Sequence, residues 1–314
     1  MSNIDRLYAR LTDAGVDLDR LLRDEPMSRH TTFRVGGPAD LMLCANSGAE
    51  IACALKLAGE EGVPAYVVGN GSNLLVRDGG VEGLVIQIGS NMSGIRIDGT
   101  HVYAQAGCLM SRVSAECLHA GLSGFEALGG IPGTLGGAAA MNAGAYGSEL
   151  KDVLVRATVL DGGAERTLEL SDMQMGYRTS RVLREGMTVT AVEMELSYGD
   201  ADEIRARMDD FTARRRAKQP LSFPSAGSTF KRPEGCFAGP LIEECGLKGV
   251  RVGGAQVSPM HAGFVVNAGG ATAKDVLDLI YVVRNKVHMA RGVWLEPEVR
   301  ILGREKRGRV KCSL

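Results

Sequence analysis

Two glycine-rich tracts, neither containing a lysine, limit this sequence more than any other feature. The first, Gly69-Asn-Gly-Ser-Asn73, follows the apolar run Pro64-Ala-Tyr-Val-Val68. The second is Gly129-Gly-Ile-Pro-Gly-Thr-Leu-Gly-Gly-Ala-Ala-Ala-Met-Asn-Ala-Gly-Ala-Tyr-Gly147. Glycine loses the most backbone entropy on folding and packs nothing. A cluster of it therefore marks chain forced into turns or held close to another surface. Of the 314 residues 42 are glycine, about 13% against a usual level of about 7%. They follow no period of three, so a collagen-like chain is excluded.

In the first tract two glycines let successive N–H groups curl into one concavity, which suits a phosphate, and Ser72 and Asn73 add polar side chains. The third glycine of a Rossmann fingerprint is missing, and Leu74-Leu-Val continues as strand rather than helix. Gly-Lys-Ser/Thr is absent, so it is no P-loop. By itself the tract also reads as an ordinary tight turn between strands. The second tract lets something flat or extended approach closely, with Thr134 and Asn142 as polar contacts; close helix–sheet packing through small residues is the other reading. Together, two lysine-free glycine loops match a dinucleotide laid along backbone amides.

The surrounding pattern predicts a mixed α+β chain. Ile4, Leu7, Tyr8 and Leu11 fall at helical spacing, with Asn3 as the expected N-cap. Residues 30–43 read as a strand, a Gly-Gly-Pro turn and a second strand. Ser47-Gly-Ala-Glu50 is a capping box opening a helix to about Glu61, and Pro64–Val68 completes a strand–helix–strand unit. Short strands follow at 84–88, 95–97 and 101–105. A helix with Met110, Val113, Cys117 and Ala120 on one face comes next, then strands at 153–160, 166–170 and 188–197. Ile204, Met208 and Phe211 mark a charged surface helix over 201–218. Residues 219–270 read as loop-rich, 273–287 as a helix capped by Thr272 and Asp275, and 294–302 as a last strand. The expected division is 1–200, in two parts of about 20–85 and 86–200, then 201–302, then a basic tail at 303–314.

Lys+Arg 36 against Asp+Glu 37 leaves a net charge of -1, which argues against nucleic acid or an anionic membrane as partner. No stretch is long enough to span a bilayer, and no apolar signal segment opens the sequence. Seven dispersed cysteines without a C-x-x-C pair, and five scattered histidines, give no metal site and point to a reducing cytoplasm.

Gly69-Asn-Gly-Ser-Asn-Leu-Leu75, Gly130-Ile-Pro-Gly-Thr-Leu-Gly-Gly-Ala138 and Met141-Asn-Ala-Gly-Ala-Tyr-Gly147 are joined by Tyr177-Arg-Thr-Ser-Arg181, Pro224-Ser-Ala-Gly-Ser-Thr-Phe-Lys231 and Leu295-Glu-Pro-Glu-Val-Arg300. In this order, over residues 28–302, the set resembles the UDP-N-acetylenolpyruvoylglucosamine reductase family, flavin enzymes of peptidoglycan precursor synthesis. The resemblance implies an FAD-binding fold of the vanillyl-alcohol-oxidase (PCMH) type in two subdomains, plus a smaller α+β substrate-binding domain. It implies non-covalent FAD, NADPH as co-substrate and a UDP-sugar substrate. Neither glycine tract holds a His or Cys that would serve as an attachment point. The FAD contacts it implies are Val68, Gly69, Asn70, Gly71, Ser72, Asn73 and Leu74 in the first loop, and Gly130, Ile131, Thr134, Gly136, Gly137, Ala138 and Asn142 in the second.

Arg178 matches the family's catalytic arginine, Ser228 its proton donor and Glu298 its catalytic glutamate. In an extended segment Trp294, Glu296, Glu298 and Arg300 share one face, and Val293, Leu295, Val299 and Ile301 the other. Lys218 and Lys231 are weaker candidates for the substrate's phosphates or carboxylate, whereas Arg214-Arg-Arg216 reads as a solvated helix face. The region after 200 is too short for the insertion, bearing a covering tyrosine, of the longer family members, which indicates the compact class. The loops alone also permit a flavoprotein oxidase of the same fold, or a nucleotide-sugar binding module without redox activity.

Overall fold

The first apolar spacing forms a helix, Asn3–Asp13, in a computed structural model that describes residues 2–306. Its cap is Ser2, not Asn3. The Ser2 hydroxyl accepts the Asp5 N–H, and the Asp5 carboxylate accepts the Ser2 N–H. A cap at Asn3 would face Arg6 at the reciprocal position, which offers no acceptor.

The chain forms two compact units, each discontinuous in sequence. One takes the chain up to Leu22, then Met42–Asn70 and Leu84–Ala217. The other takes Arg23–Leu41, Gly71–Gly83 and the chain from Lys218 onward. The ranges read from the sequence are contiguous; these units are not. Apolar burial accounts for the difference: Phe33, Val35 and Leu75 lie in the same core as Leu247, Val257, Ile280 and Val299.

The first unit is built on a five-stranded antiparallel sheet in the order Ala164–Glu169, Leu154–Asp161, Thr188–Glu195, His101–Gln105 and Ile95–Asp98. The β-branched run of Thr188–Glu195 suits a strand covered on both faces, and Val189, Val192 and Met194 are buried. The strand–helix–strand reading corresponds to Pro38–Ala45, Gly48–Glu60 and Ala65–Val68, the last pairing in parallel with Leu84–Gln87 of Val81–Ile88. Ser47 caps the helix through the Glu50 N–H, but only half of the box closes. The Glu50 carboxylate instead accepts from Arg20 at 2.7 and 2.8 Å and from the Asn46 N–H at 2.8 Å.

In the second unit a three-stranded sheet, Arg251–Val252, Ala255–Val257 and Val265–Asn267, packs under the helix Ala273–Arg291. That helix buries Val276, Leu279, Ile280, Val283 and Val287, one stripe at helical spacing. Thr272 and Asp275 close the expected box, and Asp78 accepts the Ala273 and Lys274 N–H groups at 2.8 and 2.9 Å.

Three further expectations are corrected. Residues 30–35 form no strand: Thr31 Oγ1 donates to the Val35 carbonyl and Arg34 sits at φ +55, a closed turn, while the preceding strand is Leu21–Pro26. The second glycine tract contains a helix, Leu135–Met141, which packs against Thr188–Glu195, in line with the helix–sheet reading of that tract. Ala238–Glu244 is a further helix within the loop-rich stretch. Only Arg300–Leu302 of the last strand is regular, because Pro297 has no N–H to give a ladder. No helix among the described residues is long and apolar enough to cross a membrane. Most of the basic tail lies outside the described residues.

Candidate active site

Three segments far apart in sequence lie side by side in the second unit. Leu74–Val76, leaving the first glycine loop, pairs in parallel with Arg300–Leu302. Asn73 secures the join: Nδ2 donates to the Glu298 carbonyl at 3.1 Å, and its own carbonyl accepts the Arg300 N–H at 3.0 Å. Along the other edge, residues 229–231 run antiparallel to 296–298. The Glu298 N–H donates to Thr229 at 2.8 Å, the Lys231 N–H donates to Glu296 at 2.9 Å, and Phe230 bridges Pro297. Thr229 is itself pinned, its N–H on the Gly263 carbonyl at 2.8 Å and its hydroxyl accepting the Val265 N–H at 2.8 Å. Asn73, Ser228 and Glu298 are thus gathered by backbone pairing.

Ser228 is exposed and sits between Gly227 at φ +75 and the buried Thr229. Glu298 is half-buried between the buried Leu295 and Val299 and the exposed Glu296 and Arg300. The expected alternation holds over 294–300 and fails at Ile301, which is 42% exposed. Lys231 pairs through Nζ with Glu296 Oε1 at 2.5 Å, so its charge is already matched; Lys218 is exposed at the end of its helix.

In the first loop, Gly71 stands at φ +61, and a Cβ there would lie 2.1 Å from the His30 carbonyl oxygen. The turn reading therefore explains this glycine sterically. The Gly71 and Ser72 N–H groups donate to no group among the described residues. A Cβ on Gly69 would lie 2.3 Å from Thr134 Oγ1, so the first unit sets this end of the loop against the second tract. Val68 and Leu74 are half-buried, and Asn70 is exposed.

Within the second tract, Gly130 and Gly137 are exposed, Ile131 is half-buried, and Thr134, Gly136 and Ala138 are buried. Gly136 serves close packing: its N–H donates to Ala106 at 2.9 Å, and a Cβ would meet the Ala106 Cβ at 2.6 Å. The Gly130 N–H has no acceptor among the described residues, while its carbonyl accepts from Arg215 Nη1. Arg215 corrects the reading of a solvated Arg214–Arg216 face. It is 8% exposed, with its guanidinium 5.7 Å from the Tyr146 ring, which stacks on Phe211 at 4.9 Å. Sequence reasoning missed it, because its partners lie in a distant tract.

Asn142, expected among the cofactor contacts, turns inward. At φ +45 it ends the helix Leu135–Met141 and is fully buried. Nδ2 donates to Glu149 Oε2 and to the Gly176 carbonyl, both at 3.1 Å, and Oδ1 accepts the Lys151 N–H at 3.0 Å. Gly176 opens a tight turn closed by two backbone bonds with Thr179, at 2.9 and 3.3 Å. Arg178, half-buried at φ +56, stands in that turn, its guanidinium 5.3 Å from the Tyr177 ring. Ser180, just beyond, donates to the Ala140 carbonyl at 2.6 Å. The Lys151 ammonium on Glu149, and in lesser part the Asn142 amide and the Arg178 charge, hold the Glu149 carboxyl below the usual carboxylate range.

A diphosphate can be held by backbone N–H groups without a cation. The free, successive donors of Gly71 and Ser72 fit that demand. Among the described residues no three His, Cys, Asp or Glu side chains gather to hold a metal ion.

Residues 219–302 match the family model described as UDP-N-acetylenolpyruvoylglucosamine reductase, C-terminal domain, and residues 39–171 match that of an FAD binding domain. The chain is 50% identical over 301 residues to the UDP-N-acetylenolpyruvoylglucosamine reductase of Alkaliphilus oremlandii (strain OhILAs), covering 96% of this chain and 99% of that one. It is 50% identical over 284 residues to the protein of the same description from Clostridioides difficile (strain 630), covering 90% and 93%. The crystal structure of UDP-N-acetylenolpyruvylglucosamine reductase from Thermus caldophilus matches with a TM-score of 0.78 at 36% identity, over 90% of this chain and 98% of that one.

Proposed function

Because the chain belongs to the UDP-N-acetylenolpyruvoylglucosamine reductase family and is an FAD-dependent oxidoreductase, we propose that it reduces UDP-N-acetylglucosamine enolpyruvate to UDP-N-acetylmuramate with NADPH as reductant. The observation that carries the residue roles is the gathering of Asn73, Ser228 and Glu298 on paired segments.

The chemistry that FAD supplies when bound, non-covalently in this reading, is transfer of a hydride equivalent from NADPH to the enolpyruvyl double bond. The Gly71 and Ser72 N–H groups would hold its diphosphate. Hydride arrival at the β-carbon leaves negative charge on the α-carbon and carboxylate, as an enolate. The Arg178 guanidinium stays charged and offers paired donors to that carboxylate. Ser228 Oγ gives its proton to the α-carbon, completing addition of H2 across the bond. A hydroxyl is a weak acid, so the step needs the developing charge and a group to restore the proton. Glu298, whose backbone N–H bonds the residue after Ser228, is the carboxyl that holds the enolic acid or a relay water.

The test is the absorption spectrum of the purified protein. It should be yellow, bleach on NADPH and recolour on adding the enolpyruvyl sugar. Rapid oxygen consumption with a sugar and no NADPH oxidation would instead make it an oxidase. Sugar binding without any colour change would leave only a binding module.

A further inference from the structure

We propose that Asn142 and Ser180 form a clamp that positions Arg178 for the second half of the reaction, tying its turn to the end of the glycine-tract helix. The inference rests on the reading that Arg178 acts on the substrate carboxylate. Arg178 projects from a turn of four residues, and that turn is tied to Leu135–Met141 on both flanks. Asn142 Nδ2 takes the Gly176 carbonyl before Arg178, and Ser180 Oγ takes the Ala140 carbonyl after it. Both clamp residues are fully buried. The same amide reaches Glu149, whose carboxylate lies close enough to Arg178 to feel its charge. One buried side chain thus sets both the backbone under the guanidinium and the counter-charge beside it.

The backbone here is strained in a way that needs such support. Asn142, Tyr146, Gln174 and Arg178 all have φ between +44 and +56. For non-glycine residues that conformation persists only where the surroundings enforce it. A glutamine or serine at 142 would not serve equally. Asparagine tolerates the left-handed backbone while its short amide donates to Gly176 and Glu149 and accepts from Lys151.

Asn142→Gly keeps the left-handed backbone and deletes only the amide. The two half-reactions are measured separately in the flavin-loaded variant: bleaching by NADPH, then recolouring by the enolpyruvyl sugar at saturation. Bleaching and flavin content should match the parent. Recolouring should slow by about 10- to 100-fold, the scale expected when a reacting group is misplaced by about 1 Å. In an Arg178→Ala background, Asn142→Gly should slow recolouring no further, since there is no guanidinium left to place. If Asn142→Gly does not fold, Ser180→Ala takes its place in the same measurements. Parent-like recolouring in a folded variant, equal loss of both half-reactions, or additive losses in the double variant would overturn the clamp. Arg178→Ala with parent-like recolouring would instead remove the reading of Arg178 itself.

Discussion

In the proposed reading the Ser228 hydroxyl is the acid, and a hydroxyl in that role depends on what holds it: Ser228 is held by its neighbours. Thr229 is locked by three hydrogen bonds, to Gly263, Val265 and Glu298, so the Cα of Ser228 has little freedom. Ser228→Ala should leave flavin reduction by NADPH intact and cut product formation by about 10²–10⁴-fold, the usual worth of general acid catalysis. Glu298→Gln should act on the same half-reaction. Stopped-flow traces of the two half-reactions check both, and an equal loss in each would contradict a proton-donor role. The glycine loops stand out by composition in one short run, whereas the roles given to Ser228 and Glu298 come only from the family resemblance of their motifs. Arg215 and the inward turn of Asn142 were not. Each depends on a partner far away in sequence, and an isolated Arg or Asn looks the same whether buried or solvated.

Elements sort by how local their causes are. Helices with reciprocal caps, such as Ala273–Arg291 with Thr272 and Asp275, read directly from spacing. The helix Leu135–Met141 could be read only as one of two alternatives, since glycine and alanine disguise a packed helix that owes its place to the sheet beneath it. One loop carries a pH effect. His261, on the turn before Val265–Asn267, accepts the Gly263 N–H through Nδ1 at 3.1 Å and meets the Phe264 ring edge-on at 5.0 Å. Burial, chiefly, pushes its pKa below the ordinary imidazole value. The unfolded chain then takes up the proton first, so stability is full above about pH 6.5 and falls as pH drops towards the folded value. Thermal melts at several pH values between about 7.5 and 5.5 should show this decline. His261→Gln should flatten it; an unchanged slope would assign the decline to other groups.

At the scale of the whole molecule, the two glycine tracts carry no lysine. In the proposed reading the FAD diphosphate is held by oriented backbone dipoles, which exist only in the folded chain. FAD should therefore stabilise the fold by linkage, by about 2.7 kcal/mol at a free concentration of 100 times its Kd. Protein stripped of flavin should melt lower than the loaded form, and its midpoint should climb with added FAD. A midpoint indifferent to FAD would show that the loops are turns and nothing more.

Local chemistry is enough to set where this chain turns, caps and alternates, because those choices depend on a few neighbouring residues. For that reason the α+β character and the glycine loops can be read in order along the sequence. The tertiary structure decided which segments share a core and which functional groups meet. Phe33 and Leu75 join the core of the C-terminal third, and Asn73, Thr229 and Glu298 meet through hydrogen bonds between segments far apart in the chain. Burial of apolar surface and pairing of backbone groups pay no regard to sequence distance, so no window of sequence contains them.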